Sequence, residues 1–558
     1  MDPKTTSDLK SQLDLMRREA EERQAQRLAR DLGYEYVDLS KTPASVDALR
    51  LVPEAEAKNA KIATIELKGR KTALAALSPK LPASQKVIKD LVDKKYELKV
   101  FVASASGLEG VWKLYRFIHP EAEEITGRVT IEEKKVEEFM ARLKSFDAIR
   151  KEFSEEDFSK LTPTKLIEVL LGGALSLRAS DIHTEAEENA SKLRLRVDGV
   201  LHDIFDKFPK DFYERTISRI KLLAGLKINI RDQAQDGRFT IKLGKKEVEI
   251  RVSVIPAEYG ENVVMRILDP EVTSIGLSRL GLRDDDLVIV ERQIAKPNGL
   301  ILNTGPTGSG KTTTLYAFLR HINNPEIKII TLEDPIEYRL EGVEQTQVDE
   351  ESGYTFASGL RAIVRQDPDV VLVGEIRDED TSDIALQASL TGHLVLSTLH
   401  TNDAIGAIPR LINLGAKVET IGPALNVIIA QRLVREICPY CKKEIKIQAD
   451  LKGKLEKLLK NLPARVNRAK YEKYTLYESA GCEKCSGLGY KGRIGIFEFF
   501  EGTPEMEESI LKGVSELSLK KLSEIQGMVS MQEDGILKVM AGETDLKEVE
   551  RITGKIEW

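Results

Sequence analysis

Gly305-Pro306-Thr307-Gly308-Ser309-Gly310-Lys311-Thr312 meets G-x-x-x-x-G-K-T at every fixed position, and its flanks decide what it builds. The apolar stretch Gly299-Leu300-Ile301-Leu302-Asn303 reads as a buried strand ahead of it. Thr313 to Asn323 reads as a helix that stops before Pro325. Strand, glycine turn and helix in this order point to a phosphate-binding loop. Glycines let successive backbone N–H groups turn inward, the helix N-terminus adds partial positive charge, and Lys311 is placed to reach terminal phosphates. The Thr312 hydroxyl is a magnesium ligand in such a loop, and Thr313 completes the expected nucleotide-contacting set. A turn that merely joins strand to helix is the competing reading, and the complete motif with both flanks argues against it.

At 558 residues the chain has room for three or four domains of roughly 150 residues each. With 84 Lys and Arg against 90 Asp and Glu, the net charge is -6, so no overall basic field advertises nucleic acid or an anionic membrane. Met1 to Lys10 is polar and lacks the apolar core of a signal peptide, and no apolar run approaches the ~20 residues that span a bilayer. The expectation is a cytoplasmic protein.

All four cysteines fall in two pairs, Cys438-Pro439-Tyr440-Cys441 and Cys482-Glu483-Lys484-Cys485, separated by a gap of 40 residues. Two C-x2-C turns suit four thiolates closing around a structural zinc with no open coordination position. Free or redox-active thiols are the alternative, and disulfides suit a reducing cytosol least.

Along the chain, Lys4 to Gly33 reads as a charged helix with a thin stripe of Leu9, Leu13, Met16, Ala20 and Leu28. Short apolar segments such as Ile62-Ala63-Thr64-Ile65 and Leu98-Lys99-Val100-Phe101-Val102 then indicate a small mixed domain, so residues 1–118 form the first unit. Residues 119–160 are dense in Glu and Lys and read as a mobile or helical linker. A second mixed domain spans 161–275, where Leu193-Arg194-Leu195-Arg196-Val197 alternates before an Asp198-Gly199 hairpin turn. Val248 to Val254 and Val263 to Leu268 alternate likewise, setting arginines in rows that, taken alone, read as solvated strand faces. From 276 to 558 strands and helices alternate as in an α/β fold with a parallel sheet, carrying the cysteine module at 438–485 and a helical C-terminus.

Three segments of this last region look chemical. Ile329-Ile330-Thr331-Leu332-Glu333-Asp334-Pro335-Ile336-Glu337 is a strand ending in carboxylates that can polarise an attacking water. Asp369-Val370-Val371-Leu372-Val373-Gly374-Glu375 ends in a carboxylate suited to magnesium, with Gly374 where a standard Walker B strand carries Asp. Thr391 to Asn402 is a strand bracketed by His393 and His400, each of which in isolation reads more readily as a structural hydrogen-bonding group.

In this order the phosphate loop, Thr-x-Glu-Asp-Pro-x-Glu, Gly-Glu-Ile-Arg-Asp and Gly-His-x6-His-Thr-Asn resemble the Walker A, Asp box, Walker B and His box of the secretion ATPases that power type II secretion and type IV pilus assembly. Ala179-Ser180-Asp181-Ile182-His183, Arg194 to Gly199 and Gln235-Asp236-Gly237-Arg238 resemble that family's PAS-like N2 domain, and Leu32 to Ser40 resembles its N1 domain. Thr184, Ala186 and Asn262 depart from the usual pattern, and no Arg-Leu-Gly messenger motif is present, so cyclic dinucleotide binding is not expected. The resemblance implies a RecA-like ATPase domain in a homo-hexamer that uses ATP, Mg2+ and Zn2+. Glu333 would be the general base, Thr312 and Glu375 the magnesium residues, and His393 and His400 phosphate sensors. Arg251 and Arg266 would reach the phosphates. The implied partner is a polytopic inner-membrane platform protein, which the protein would join peripherally from the cytoplasmic side. Having both an N1 domain and a cysteine module favours pilus assembly or secretion over retraction, with pilus assembly preferred. A RecA-like nucleic-acid motor is the rival from another class. It calls for basic pore loops or stacking aromatics, and aromatics are only 6% of the chain, so no nucleic-acid partner is expected. A regulator that binds ATP without turnover is disfavoured by the intact Glu333, Glu375, Arg251 and Arg266.

Overall fold

The computed structural model describes residues 3–42, 44–117, 133–154, 161–244, 246–270, 275–513 and 515–558. The chain divides into two compact units. The first takes in the chain up to Lys144 with Ala148–Val197 and Leu201–Ile267; most of the second is Leu268–Trp558.

In the first unit, β1 (Glu35–Tyr36), β2 (Ile62–Lys68), β3 (Lys71–Ala76) and β4 (Glu97–Val102) form a sheet in the order β1-β4-β3-β2. Ile62, Ala63, Leu74 and Ala75 are fully buried between it and its helices. A second sheet runs β7-β6-β5-β10-β9-β8, built from β5 (Ala179–Ala186), β6 (Ser191–Val197), β7 (Val200–Phe205), β8 (Gln235–Leu243), β9 (Lys246–Ala257) and β10 (Gly260–Leu268). Asp198 (φ 47°) and Gly199 (φ 83°) both take left-handed backbone between β6 and β7, as the Asp-Gly pair predicts. Period-two alternation holds: Leu193, Leu195, Val248, Ile250 and Val252 are buried, while Arg194, Arg196 and Arg251 lie on the other face. Two departures from the family pattern meet here, since Ala186 N–H donates to Asn262 Oδ1 at 2.8 Å.

Of the two readings of the linker, mobile or helical, the described residues take the helical one. Residues 119–132 and 155–160 of it lie outside the described residues, as do residue 118 and the side chains of Leu9, Leu13 and Met16 in the N-terminal stripe. Between them Glu133–Arg142 and Phe146–Ser154 are helices, and they are packed rather than free. Val136, Phe139, Ile149 and Phe153 are buried, each contributing about 2 kcal/mol of apolar burial. The helix Pro163–Ser176 accepts them closely at two glycines. A Cβ on Gly172 would lie 2.5 Å from Phe139 Cβ, and one on Gly173 2.7 Å from Ile149 Cδ1.

The second unit is a seven-stranded sheet in the order β13-β12-β14-β15-β11-β16-β19. Its strands are β11 (Gly299–Thr304), β12 (Ile329–Glu333), β13 (Glu344–Gln347), β14 (Val370–Val373), β15 (Leu394–Leu399), β16 (Leu425–Ile437) and β19 (Tyr490–Glu501); a short ribbon of β17 (Lys443–Glu444) and β18 (Tyr477–Glu478) lies between the last two in sequence. Every pairing from β13 to β16 is parallel, and β19 adds antiparallel to β16. Side chains alternate between two cores, with Leu300, Leu302, Ile330, Leu332, Val371 and Val373 in one. Ile301, Ile329, Val370 and Leu372 go to the other. Burial on both faces is what a parallel sheet wrapped by helices requires. The gap between the cysteine pairs has its own core, in which Leu455, Leu459, Leu462 and Leu476 pack on Ile536, Leu537 and Val549 of the C-terminal helices. No helix among the described residues is long and apolar enough to cross a membrane.

Candidate nucleotide site and cysteine cluster

The carboxyl ends of β11, β12, β14 and β15 converge, the edge at which ligands bind in open parallel sheets. The phosphate loop leaves β11 and enters the helix Lys311–Ile322, with Gly310 as its N-cap at φ 90°. Its glycines answer to a neighbour that the motif does not contain. A Cβ on Gly305 would lie 2.5 Å from Gln431 O, and one on Gly310 2.8 Å from Gln431 Nε2, so β16 forms the wall against which the loop turns. Lys311 Nζ donates to Gly305 O at 2.7 Å and Pro306 O at 3.2 Å. Burial pulls its pKa down, the Glu375 charge raises it, and the Arg432 charge lowers it again.

Glu333 closes β12 and is buried. It accepts from Thr331 Oγ1 at 2.6 Å, Gln345 Nε2 at 3.2 Å and the Tyr316 hydroxyl. Burial pushes its pKa up, and the hydrogen bonds from Thr331, Tyr316 and Gln345 oppose that rise. Glu375, two residues past β14, meets His400 Nε2 at 3.2 Å and the Arg377 guanidinium. Arg377 also reaches Asp334 at 3.4 Å, bridging the Asp-box and Walker B segments.

Not every expected residue gathers here. His400 follows β15 at the phosphate-loop end, but His393 precedes β15, and β15 runs in register with β11 from Gly299↔Leu394 to Thr304↔Leu399. About 20 Å of strand therefore separates the two histidines. The expectation that His393 senses phosphate is corrected for its own chain: it sits at the amino end of the central strand, where Nδ1 lies 3.0 Å from Ala388 O. Arg251 and Arg266 belong to the first unit. Arg251 pairs with Glu249 at 3.3 Å, and Arg266 with Asp181 at 3.0 Å, a carboxylate shared with Arg196 at 3.4 Å. Tyr316, Gln345, Arg377 and Gln431 escaped the sequence reading. Arg377 lies inside Gly-Glu-Ile-Arg-Asp and was legible there, whereas Gln431 reaches the loop only through strand pairing.

The cysteines assemble as spaced. Their four sulfurs all lie within 4.8 Å of one another. Sγ pairs stand 3.9 Å (Cys438 to Cys482), 3.8 Å (Cys441 to Cys485) and 3.7 Å (Cys482 to Cys485) apart. These match the roughly 3.8 Å edge of a tetrahedron with ~2.3 Å zinc–sulfur bonds and far exceed a disulfide. Burial raises the Cys485 thiol, but the backbone N–H groups of Cys482 and Gly489, each 3.2 Å from its sulfur, bring it down to about 7. A donor set of four thiols with N–H support fits a closed structural metal site.

A parallel sheet ending in a phosphate loop and two carboxylates is the core of a P-loop ATPase. A family model described as Type II/IV secretion system protein matches residues 155–551. The type IV pilus assembly ATPase PilB of Myxococcus xanthus is 36% identical over 524 residues, covering 94% of this chain and 89% of that protein. Type II secretion system protein E of Pseudomonas aeruginosa is 45% identical over 390 residues, 70% of this chain and 75% of its own. The X-ray structure of the Legionella pneumophila ATPase DotB superposes with a TM-score of 0.51 at 21% identity, covering 72% of this chain and 98% of that one, which shows a common fold. The chain belongs to the type II/IV secretion system protein family and is an ATP hydrolase of that family.

Proposed function

We propose that the chain is a cytoplasmic, hexameric motor that hydrolyses ATP to drive type IV pilus assembly at the inner membrane, acting on a polytopic platform protein. The observation that carries this reading is the likeness to a pilus assembly ATPase through 94% of the chain, N-terminal unit included. Type II secretion is the second reading, favoured by the higher identity of 45% over the shared 390 residues.

Within the site, Gly305 to Thr313 would cradle the nucleotide, with Lys311 on the terminal phosphates. Thr312 and Glu375 would hold magnesium, which neutralises charge on the transferred phosphoryl group. Glu333 would take the proton of the attacking water; burial keeps it a stronger base than an exposed carboxylate. His400, through Glu375, would register the state of that carboxylate. Arg251 and Arg266 would act as arginine fingers in an assembled ring, and Cys438, Cys441, Cys482 and Cys485 would hold zinc that stiffens the 438–485 module. The test is phosphate release by the purified full chain with the cytoplasmic domain of a pilus platform protein, of a type II secretion platform protein, or with single-stranded DNA. Stimulation by the pilus domain alone is expected. Stimulation by the secretion domain instead selects the second reading, and stimulation by DNA alone overturns both.

A further inference from the structure

The phosphate loop is backed by a cation that no part of its own motif supplies. Arg432 lies on β16, beside Gln431. Its guanidinium NH1 is 3.2 Å from where a Cβ on Gly305 would sit and donates to Gln431 O at 3.3 Å. NH2 donates to Asn402 O at 3.1 Å and Asn402 Oδ1 at 3.3 Å, in the loop that begins at His400. That loop is tied twice more. Thr401 N–H donates to Thr304 Oγ1 at 2.8 Å, just ahead of the phosphate loop, and Ala404 N–H donates to Glu498 Oε1 at 2.6 Å. Glu498 is 5% exposed, and its other oxygen accepts from Met531 N–H at 3.3 Å in the first turn of the helix Met531–Met540. Glu498 pairs across the ladder with Ala430, two residues from Arg432 and on the same face of the sheet.

Hydrogen bonds thus run from Arg432, which stands beside Gly305, to Asn402, and from Ala404 in the same loop through Glu498 to the helix Met531–Met540. Two cations, Lys311 and Arg432, face the same loop: the Arg432 charge lowers the pKa of Lys311, while burial lowers that of Arg432 and the Glu498 and Asp403 carboxylates support its charge. Such an arrangement gains most when an anion arrives between them. We propose that Arg432 is a positioning residue of the nucleotide site, acting in cis: it couples phosphate at the loop to the segment after His400, and Glu498 anchors that segment to the C-terminal helices. The inference rests on the reading of Gly305–Thr312 as the ATP site.

The experiment measures kcat and KM for Mg-ATP in the full chain for Arg432→Gln, Arg432→Lys, Glu498→Gln and the Arg432→Gln/Glu498→Gln double variant, beside Lys311→Ala. Arg432→Gln is expected to raise KM about tenfold or more with a smaller change in kcat, since the phosphate loop loses the cation behind it and that cation's tie to Asn402. Arg432→Lys keeps the charge but not the fork to Asn402, and its KM should fall between those of wild type and Arg432→Gln. Glu498 does not touch nucleotide, so Glu498→Gln should raise KM only through the Asn402 segment. The double variant should then be no worse than Arg432→Gln, the non-additivity of residues on one path. Wild-type KM and kcat in folded Arg432→Gln, or additive effects in the double variant, would overturn the inference. If Arg432→Gln does not fold, wild-type constants in Arg432→Lys together with Glu498→Gln overturn it instead. Near-normal turnover by Lys311→Ala would refute the ATP-site reading itself, a result separable from all of these.

Discussion

Glu333 and Glu375 end neighbouring strands, yet their surroundings differ. Glu333 is buried and held by Tyr316, Thr331 and Gln345, whereas Glu375 is the carboxylate whose charge acts on Lys311. Glu333→Gln should therefore bind Mg-ATP near normally and turn it over about a hundredfold more slowly, the usual scale for a lost general base. Glu375→Gln should in addition require more magnesium for half-maximal rate. Titrating magnesium against both variants checks this, and identical magnesium dependence would contradict the division of roles. A pH effect belongs to Glu498, which burial lifts from the ordinary 4.5 to about 7. A carboxyl that holds its proton more tightly when folded contributes stability that is complete below its unfolded pKa and is lost as pH rises through about 7. Glu498→Gln should flatten the fall in melting temperature between about pH 5 and 8; melting curves that fall in parallel for variant and wild type would refute this. At this scale the phosphate loop, the cysteines and both acidic strand ends were legible because each is a local string. Tyr316, Gln431 and Arg432 were not, because helix geometry and strand pairing bring them to the site.

Among the elements, sequence reasoning recovered the strands best. β11, β12, β14 and β15 are short apolar runs buried on both faces, and β6 and β9 alternate cleanly. At Glu133–Arg142 and Phe146–Ser154 it left helix and mobile chain open and missed the packing, because dense Glu and Lys hid a narrow stripe of Val136, Phe139, Ile149 and Phe153. The two histidines show a related limit. A strand bracketed by the two histidines sets them at its two ends, but only the parallel pairing of β15 with β11 tells that His400 is the one at the phosphate-loop end. The cysteine cluster belongs to this scale because it closes a module with its own core. One zinc per chain is expected by elemental analysis of reduced protein. Cys438→Ser should lose that zinc and lower the melting temperature by several degrees, since a closed thiolate site contributes directly to folding. Absence of zinc in freshly purified, reduced protein would remove this assignment.

For the whole molecule, a ring of six chains would give Arg251 and Arg266 their catalytic meaning, because each is paired within its own unit by Glu249 or Asp181. Mixing inactive Lys311→Ala chains with inactive Arg266→Ala chains should restore part of the activity if Arg266 serves a neighbour's phosphate loop, as trans arginine fingers do. Unrestored activity in verified mixed oligomers would refute the trans geometry. A ring of any size turns over only if ATP is hydrolysed at Gly305–Thr312. Phosphate release from Mg-ATP by full-length Lys311→Ala, with its fold checked by circular dichroism and its melting curve, tests it most directly. A folded variant whose turnover falls by at least about a hundredfold is the predicted result. A folded Lys311→Ala protein that releases phosphate at close to the wild-type rate would contradict it.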